Sequence, residues 1–165
     1  MGSSEFEDAY DDDARLQGIL DETIEDLEPV RPVCVGPGAT LVAAIEAMNA
    51  VKAGCVLVTE GDVLVGILTE RDILRVVGKL DLHSPVEQVM TRDPETVGIT
   101  DGIAYALQQM HLGGFRHIPV VDEAGRPVGI LSVRDFVRYV VSLFPAKVLN
   151  LPPHPRLAAR SPDGG

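Results

Sequence analysis

The stretch PVEQVMTRDPETVGITDGIAYALQQMHL, residues 85–112, lies without a gap on TIEDLEPVRPVCVGPGATLVAAIEAMNA, residues 23–50, at an offset of 62. Pro94 falls on Pro32, Val97 on Val35, Ile103 on Leu41 and Met110 on Met48. One extra residue near Glu123 moves the offset to 63, after which GILSVRDFVR, residues 129–138, repeats GILTERDILR, residues 66–75. Self-similarity of this extent fixes the architecture ahead of any local propensity, because both copies must fold alike.

Each copy reads as β-α-β-β-α. A short strand (VCV or TVG) precedes a helix whose apolar residues, Leu41, Ala44, Ile45 and Met48 or Ile103, Ala106, Leu107 and Met110, have the spacing of one buried stripe. An apolar strand follows (GCVLVT or RHIPVV), then a turn (EGD or DEAGRP), a further strand (VLVGILT or PVGILS) and a second helix, ERDILRVVGKL or VRDFVRYVVSLF. Three strands make too small a sheet to stand alone, so the copies are expected to pack on each other about a pseudo-two-fold axis. The predicted fold is α/β in the α+β sense, with repeats at 23–84 and 85–144. An acidic arm at 1–22 and a Pro/Gly-rich tail at 145–165 flank them, and the composition of the arm predicts disorder.

Charge follows the same division. Of the net −11, residues 1–28 contribute 11 acids against Arg15 alone, leaving 14 acidic and 13 basic residues in the remainder. A near-neutral body suits an anionic small molecule. Aromatic residues are 4% of the chain and Trp is absent, so stacking on nucleic acid is not expected. No apolar run approaches the roughly 20 residues of a membrane span, and an acidic start is the reverse of a signal peptide, which predicts a cytoplasmic protein without a membrane partner. Cys34 and Cys55 lack CxxC spacing and are read as reduced core residues, while Met48, Met90 and Met110 fit core stripes. His83, His111, His117 and His154 have no metal-ligand spacing, so no metal is expected. Gly113-Gly114 reads as a helix C-terminus.

Thr69-Glu70-Arg71-Asp72 and Ser132-Val133-Arg134-Asp135 each stand where a strand hands over to a helix. A hydroxyl at the N-cap with an acid three residues on is a capping box, and that explanation suffices for either copy alone. Asp in place of the longer Glu is expected to reach back less well and to leave a carboxylate able to accept from a vicinal diol. Arg71 and Arg134 sit beside a helix N-terminus that favours an anion, which makes them candidate phosphate contacts. A diol acceptor next to an anion site, present once per repeat, points to a nucleotide.

VMTRDPETV (89–97), RHIPVVD (116–122) and the twofold G-I-L-[TS]-x-R-D resemble, in order and spacing, a tandem pair of cystathionine-β-synthase (CBS) domains, a Bateman module, over residues 23–144. The resemblance implies a stand-alone regulatory sensor of AMP, ADP, ATP, S-adenosylmethionine or NAD. Such energy-sensing modules form homodimers and signal to a separate protein, here an unidentified one, with no cofactor required. Carried over, the ribose-binding pairs become Ser132 with Asp135 and Thr69 with Asp72. The Asp135 site would take purine contacts from Ala39, Ala53, Gly54 and Cys55 and phosphate from Arg116. The Asp72 site would use Asp101, Phe115, Arg116 and His117. Because Asp101 adds a negative charge and Gly54 offers no base, the Asp135 site is expected to bind better. No nucleophile with a base, carboxylate pair or metal set suggests an enzyme. The competing reading is a ligand-independent structural dimerisation module whose Thr/Ser-x-x-Asp motifs only cap helices.

Overall fold

The structure, a computed structural model, describes residues 17, 18 and 21–143. The expectations for the first 16 residues of the arm and for the 145–165 tail lie outside the described residues. The chain divides into two units, one up to Val133 and one from Arg134.

In the first unit, β1 (Cys34–Val35), α1 (Leu41–Val51), β2 (Cys55–Glu60), β3 (Val63–Thr69) and α2 (Glu70–Val76) form the first repeat. A short 3-10 turn (Val86–Gln88), β4 (Thr91–Arg92), β5 (Val97–Gly98), α3 (Ile103–Gly113), β6 (His117–Val121) and β7 (Pro127–Ser132) follow. The last helix, α4 (Val133–Leu143), falls almost wholly in the second unit and completes the β-α-β-β-α order.

Both helical stripes are seated as their spacing predicts. Leu41, Ala44 and Met48 on α1 and Ile103, Ala106 and Met110 on α3 are buried. Thr40 starts α1 by accepting from the Ala43 N–H at 3.2 Å. At the matching C-terminal positions Lys52 and Gly114 both adopt left-handed backbone, φ 56° and 66°, as a helix stop requires. The helix expected over ERDILRVVGKL ends at Val76, because the chain turns extended at Val77 and then left-handed at Gly78, φ 79°.

Two sheets result, of order β1-β2-β3-β4 and β5-β6-β7, with the first pair of each parallel and the rest antiparallel. In β2 both faces are buried. Val56 and Val58 join the α1 stripe, Leu68 and Ile73, while Cys55 and Leu57 pack with Ile67 and, from the other repeat, Ile130. Alternation also corrects the reading of Cys34, which is exposed. Its neighbours Val33 and Val35 turn to the core, so the residue between them on this edge strand turns out. A thiol reagent is expected to titrate Cys34 alone in the native protein and Cys55 only after unfolding; two fast equivalents would contradict the burial of Cys55.

The repeats are joined by exchange. β4 precedes the rest of repeat two in sequence, yet it pairs with β3 of repeat one, Gly66 opposite Arg92, a strand the periodicity did not reveal. Reciprocally, the lead-in of repeat one bridges β7, with Val30 and Ile130 exchanging backbone bonds at 2.9 and 3.2 Å. The helix entrances are tied in the same way. Ile24 N–H donates to Asp101 O at 2.9 Å, and its counterpart Val86 donates to Ala39 O at 2.8 Å. Ile103 donates to Glu22 O at 2.9 Å, and Leu41 to Ser84 O at 3.0 Å. These pairs obey the offset of 62, so the expected pseudo-two-fold is present in the hydrogen bonds themselves.

The glycine of each GIL motif is the receiving surface for this exchange. A Cβ at Gly66 would stand 2.5 Å from Met90 Sδ, and one at Gly129 would stand 2.6 Å from Pro29 Cβ. Each belongs to the crossing segment of the opposite repeat.

Candidate functional site

Thr69 ends β3 in extended backbone and caps α2. The turn is closed more tightly than the short Asp side chain suggests, which corrects the expectation drawn from side-chain length. Asp72 Oδ2 accepts both from the Thr69 N–H at 3.0 Å and from the Thr69 hydroxyl at 2.6 Å. A carboxylate one methylene shorter than Glu still spans the turn and takes the hydroxyl as well. The hydroxyl proton is then spent on the carboxylate, and the Asp72 N–H reaches Thr69 Oγ1 only at 3.4 Å. Oδ1 is left over, 3.6 Å from Arg75 Nη1 and outside hydrogen-bond range of it. One carboxylate thus has a structural oxygen and an oxygen still able to accept.

Asp72 opens on a cavity of about 410 Å3. One wall is the α2 entrance, Thr69 to Asp72 with Arg75. A second is the run after β4, with Asp93, Pro94 and Glu95, and a third is the segment Gly113 to His117 that leaves α3 and enters β6. Gly54, just before β2, also lines it and faces the third wall, where a Cβ on Gly54 would stand 3.0 Å from His117 Nε2. Residues from both repeats therefore meet here. The crossover makes this possible, because β4 carries Asp93 to Glu95 to the side of the first sheet.

Thr69, Asp72, Phe115 and His117, which the resemblance grouped as one site, line the cavity together with the candidate phosphate contact Arg71 and with Arg116, which the resemblance offered to both sites. The structure adds Gly54, assigned beforehand to the other site, and Asp93 and Glu95, which were not foreseen. Asp93 was within reach of sequence reading through the RDP turn, but its place depends on β4. Asp101 is not among the lining residues: its carboxylate accepts from the Gly98 N–H at 2.7 Å and holds the turn before α3. Ala39, Ala53 and Cys55 do not line this cavity either. Ala39 O and Ala53 N–H are used in backbone bonds, to Val86 and Met48 respectively. Burial, with the Glu70 carboxylate as a second cause, pushes the Cys55 thiol up to about 12.

Ser132 closes β7 opposite His117. In the second unit Arg138 Nη1 lies 3.3 Å from Asp135 Oδ1, an ion pair at the spacing of Arg75 and Asp72. Arg134 belongs to the first turn of the same helix. No group of three or more potential metal ligands occurs among the described residues, and none of their helices is long and apolar enough to cross a membrane.

Exchanged β-α-β-β-α repeats, each with a hydroxyl-x-x-Asp turn at its last helix, define a CBS pair. The chain belongs to the CBS domain family, whose model matches residues 24–79 and again 86–142. It is 36% identical over 110 residues to an uncharacterized 17.7 kDa protein of Acidianus ambivalens, covering 66% of this chain and 67% of that one. A CBS domain-containing protein of Arabidopsis thaliana is 33% identical over 112 residues, but the match spans 20% of its length. Among solved structures, a CBS domain protein from Pyrobaculum aerophilum complexed with AMP superposes with a TM-score of 0.68 at 30% identity, over 76% of this chain and 99% of that one.

Proposed function

We infer that the chain is a regulatory module, not an enzyme, which binds an adenosine-containing ligand of the AMP, ADP, ATP, S-adenosylmethionine or NAD class and signals through a change of conformation or assembly to a separate protein. The observation that carries this reading is the divided carboxylate of Asp72, one oxygen closing the cap and the other outside it, on a residue that lines a cavity shared by both repeats. A ribose diol would donate to Oδ1, the purine would lie along Phe115 to His117, and Arg71 and Arg116 would meet phosphate. The complex of the similar Pyrobaculum protein with AMP supports the ligand class. A ligand bridging the repeats favours whichever arrangement it binds better, and by no more than that difference in affinity. Assembly as a cytoplasmic homodimer completes the reading.

Ser132 and Asp135 are proposed as a second ribose site. The expectation that it binds better rested on the charge of Asp101 at the Asp72 site and on Arg116 as the phosphate contact of the Asp135 site, whereas Asp101 does not line the Asp72 cavity and Arg116 does. We therefore place the Asp72 site first.

The closed capping box also suits a structural dimerisation module that binds nothing. Calorimetry and thermal shift with adenosine, AMP, ADP, ATP, S-adenosylmethionine and NAD separate the two. Asp72→Ala is expected to lose about 1 kcal/mol of stability as a cap variant, and in addition about 2 kcal/mol of binding, roughly thirtyfold in Kd. Asp135→Ala is expected to weaken binding less. Loss of stability in both variants with no ligand bound by the wild type would leave the structural module as the answer.

A further inference from the structure

On the adenosine reading above, charge on the cavity walls decides which ligand the Asp72 site accepts. The lining carries four carboxylates, Glu70, Asp72, Asp93 and Glu95, against three guanidiniums, Arg71, Arg75 and Arg116. Arg75 and Asp72 face each other at 3.6 Å and largely offset one another. Arg71 and Arg116 then remain with three acids. The next cation along the wall, Arg92, stands between the lining residues Thr91 and Asp93 but is turned to Glu87, with Nη2 3.5 Å from Oε2 and donating to the carbonyl oxygen at 3.3 Å. His117 adds charge only when protonated.

A monophosphate carries about two negative charges at neutral pH, which two guanidiniums can match. A triphosphate carries about four, and its outer charges would share the cavity with Asp93 and Glu95, with no further cation among the lining residues. We propose that the Asp72 cavity selects adenosine ligands by charge, accepting the nucleoside and its monophosphate and rejecting the triphosphate, with Asp93 and Glu95 as the discriminating side chains.

Both residues are exposed, so neutralising them leaves the core intact. Asp93 has φ 44°, a left-handed conformation that Asn also adopts readily, and Asp93→Asn therefore keeps the turn. The test is calorimetry with adenosine, AMP and ATP, without divalent cations, at low and high salt, on the wild type and on Asp93→Asn/Glu95→Gln. In the wild type AMP is expected to bind about tenfold tighter than ATP at roughly 50 mM salt, with the gap shrinking at roughly 500 mM as screening sets in. The double variant is expected to bind ATP about fivefold tighter than the wild type does, and AMP within about twofold of it. ATP binding as tightly as AMP, or an unchanged ratio in the double variant, would overturn charge selection while leaving the adenosine site standing. Absence of binding by adenosine, AMP and ATP alike would overturn the adenosine reading and the selectivity with it.

Discussion

Valine at Gly129 is expected to lower the thermal midpoint by roughly 10 °C and to leave the protein unfolded at temperatures where the wild type is intact. The first added carbon alone would stand 2.6 Å from Pro29 Cβ and 3.5 Å from Val120 Cβ. Pro29 is a ring on a chain pinned one residue later by the two backbone bonds between Val30 and Ile130, so neither partner has room to move. Overpacking of this kind costs about 1–3 kcal/mol, and branching adds to it. The matching change at Gly66 is expected to be milder. There the obstruction is the thioether of Met90, at 2.5 Å from Sδ and 3.1 Å from Cγ, and an unbranched side chain can rotate away. Gly36→Ala and Gly38→Ala, with nothing within 4 Å, are neutral controls. The order Gly129, Gly66, control in a series of calorimetric melts is the diagnostic result. A Gly129→Ala protein that melts with the wild type would mean that the crossing segment is not held there.

Cutting the chain after Leu80 is expected to abolish cooperative folding of both pieces, and mixing them to restore it. Residues 1–80 lose β4 from the edge of their sheet. They also lose Val86 and Met90 from the cluster under α1, and Ile130 from the face formed by Leu57 and Ile67. Each such side chain is worth about 1.5–3 kcal/mol when buried. A body of some 60 residues has little stability to spare for losses of that size. Circular dichroism melts of each fragment, with sedimentation to establish its size, read the outcome directly. A cooperative transition in monomeric 1–80 would show that the exchanged segments are ornament.

The duplication was legible because the repeat preserves residue types at fixed positions, and the stripes from Leu41 to Met48 and from Ile103 to Met110 then had one interpretation. Less legible were features whose cause lies in the opposite repeat. Gly66 and Gly129 look like ordinary strand glycines until Met90 and Pro29 are set against them. Thr91-Arg92 carries no strand signal, being two exposed residues whose partner is a distant edge. Cys34 was misread because apolar neighbours in sequence are not neighbours across a pleat. The Thr69–Asp72 cap declared itself by spacing, but the way one oxygen of Asp72 takes both Thr69 donors did not. It depends on whether a hydroxyl donates or accepts, which no pattern of letters records.

The reciprocal ties also bear on the order in which the molecule is made. Pro29 and Val30 leave the ribosome about a hundred residues ahead of Gly129 and Ile130, their seats in the second sheet. At roughly 5–20 residues per second that wait lasts several seconds or longer. Through it the nascent first half holds Leu57 and Ile67 without Ile130 to cover them. The same exchange that gives the finished protein a cavity lined by both repeats leaves its first half unfinished until the last strand has been synthesised.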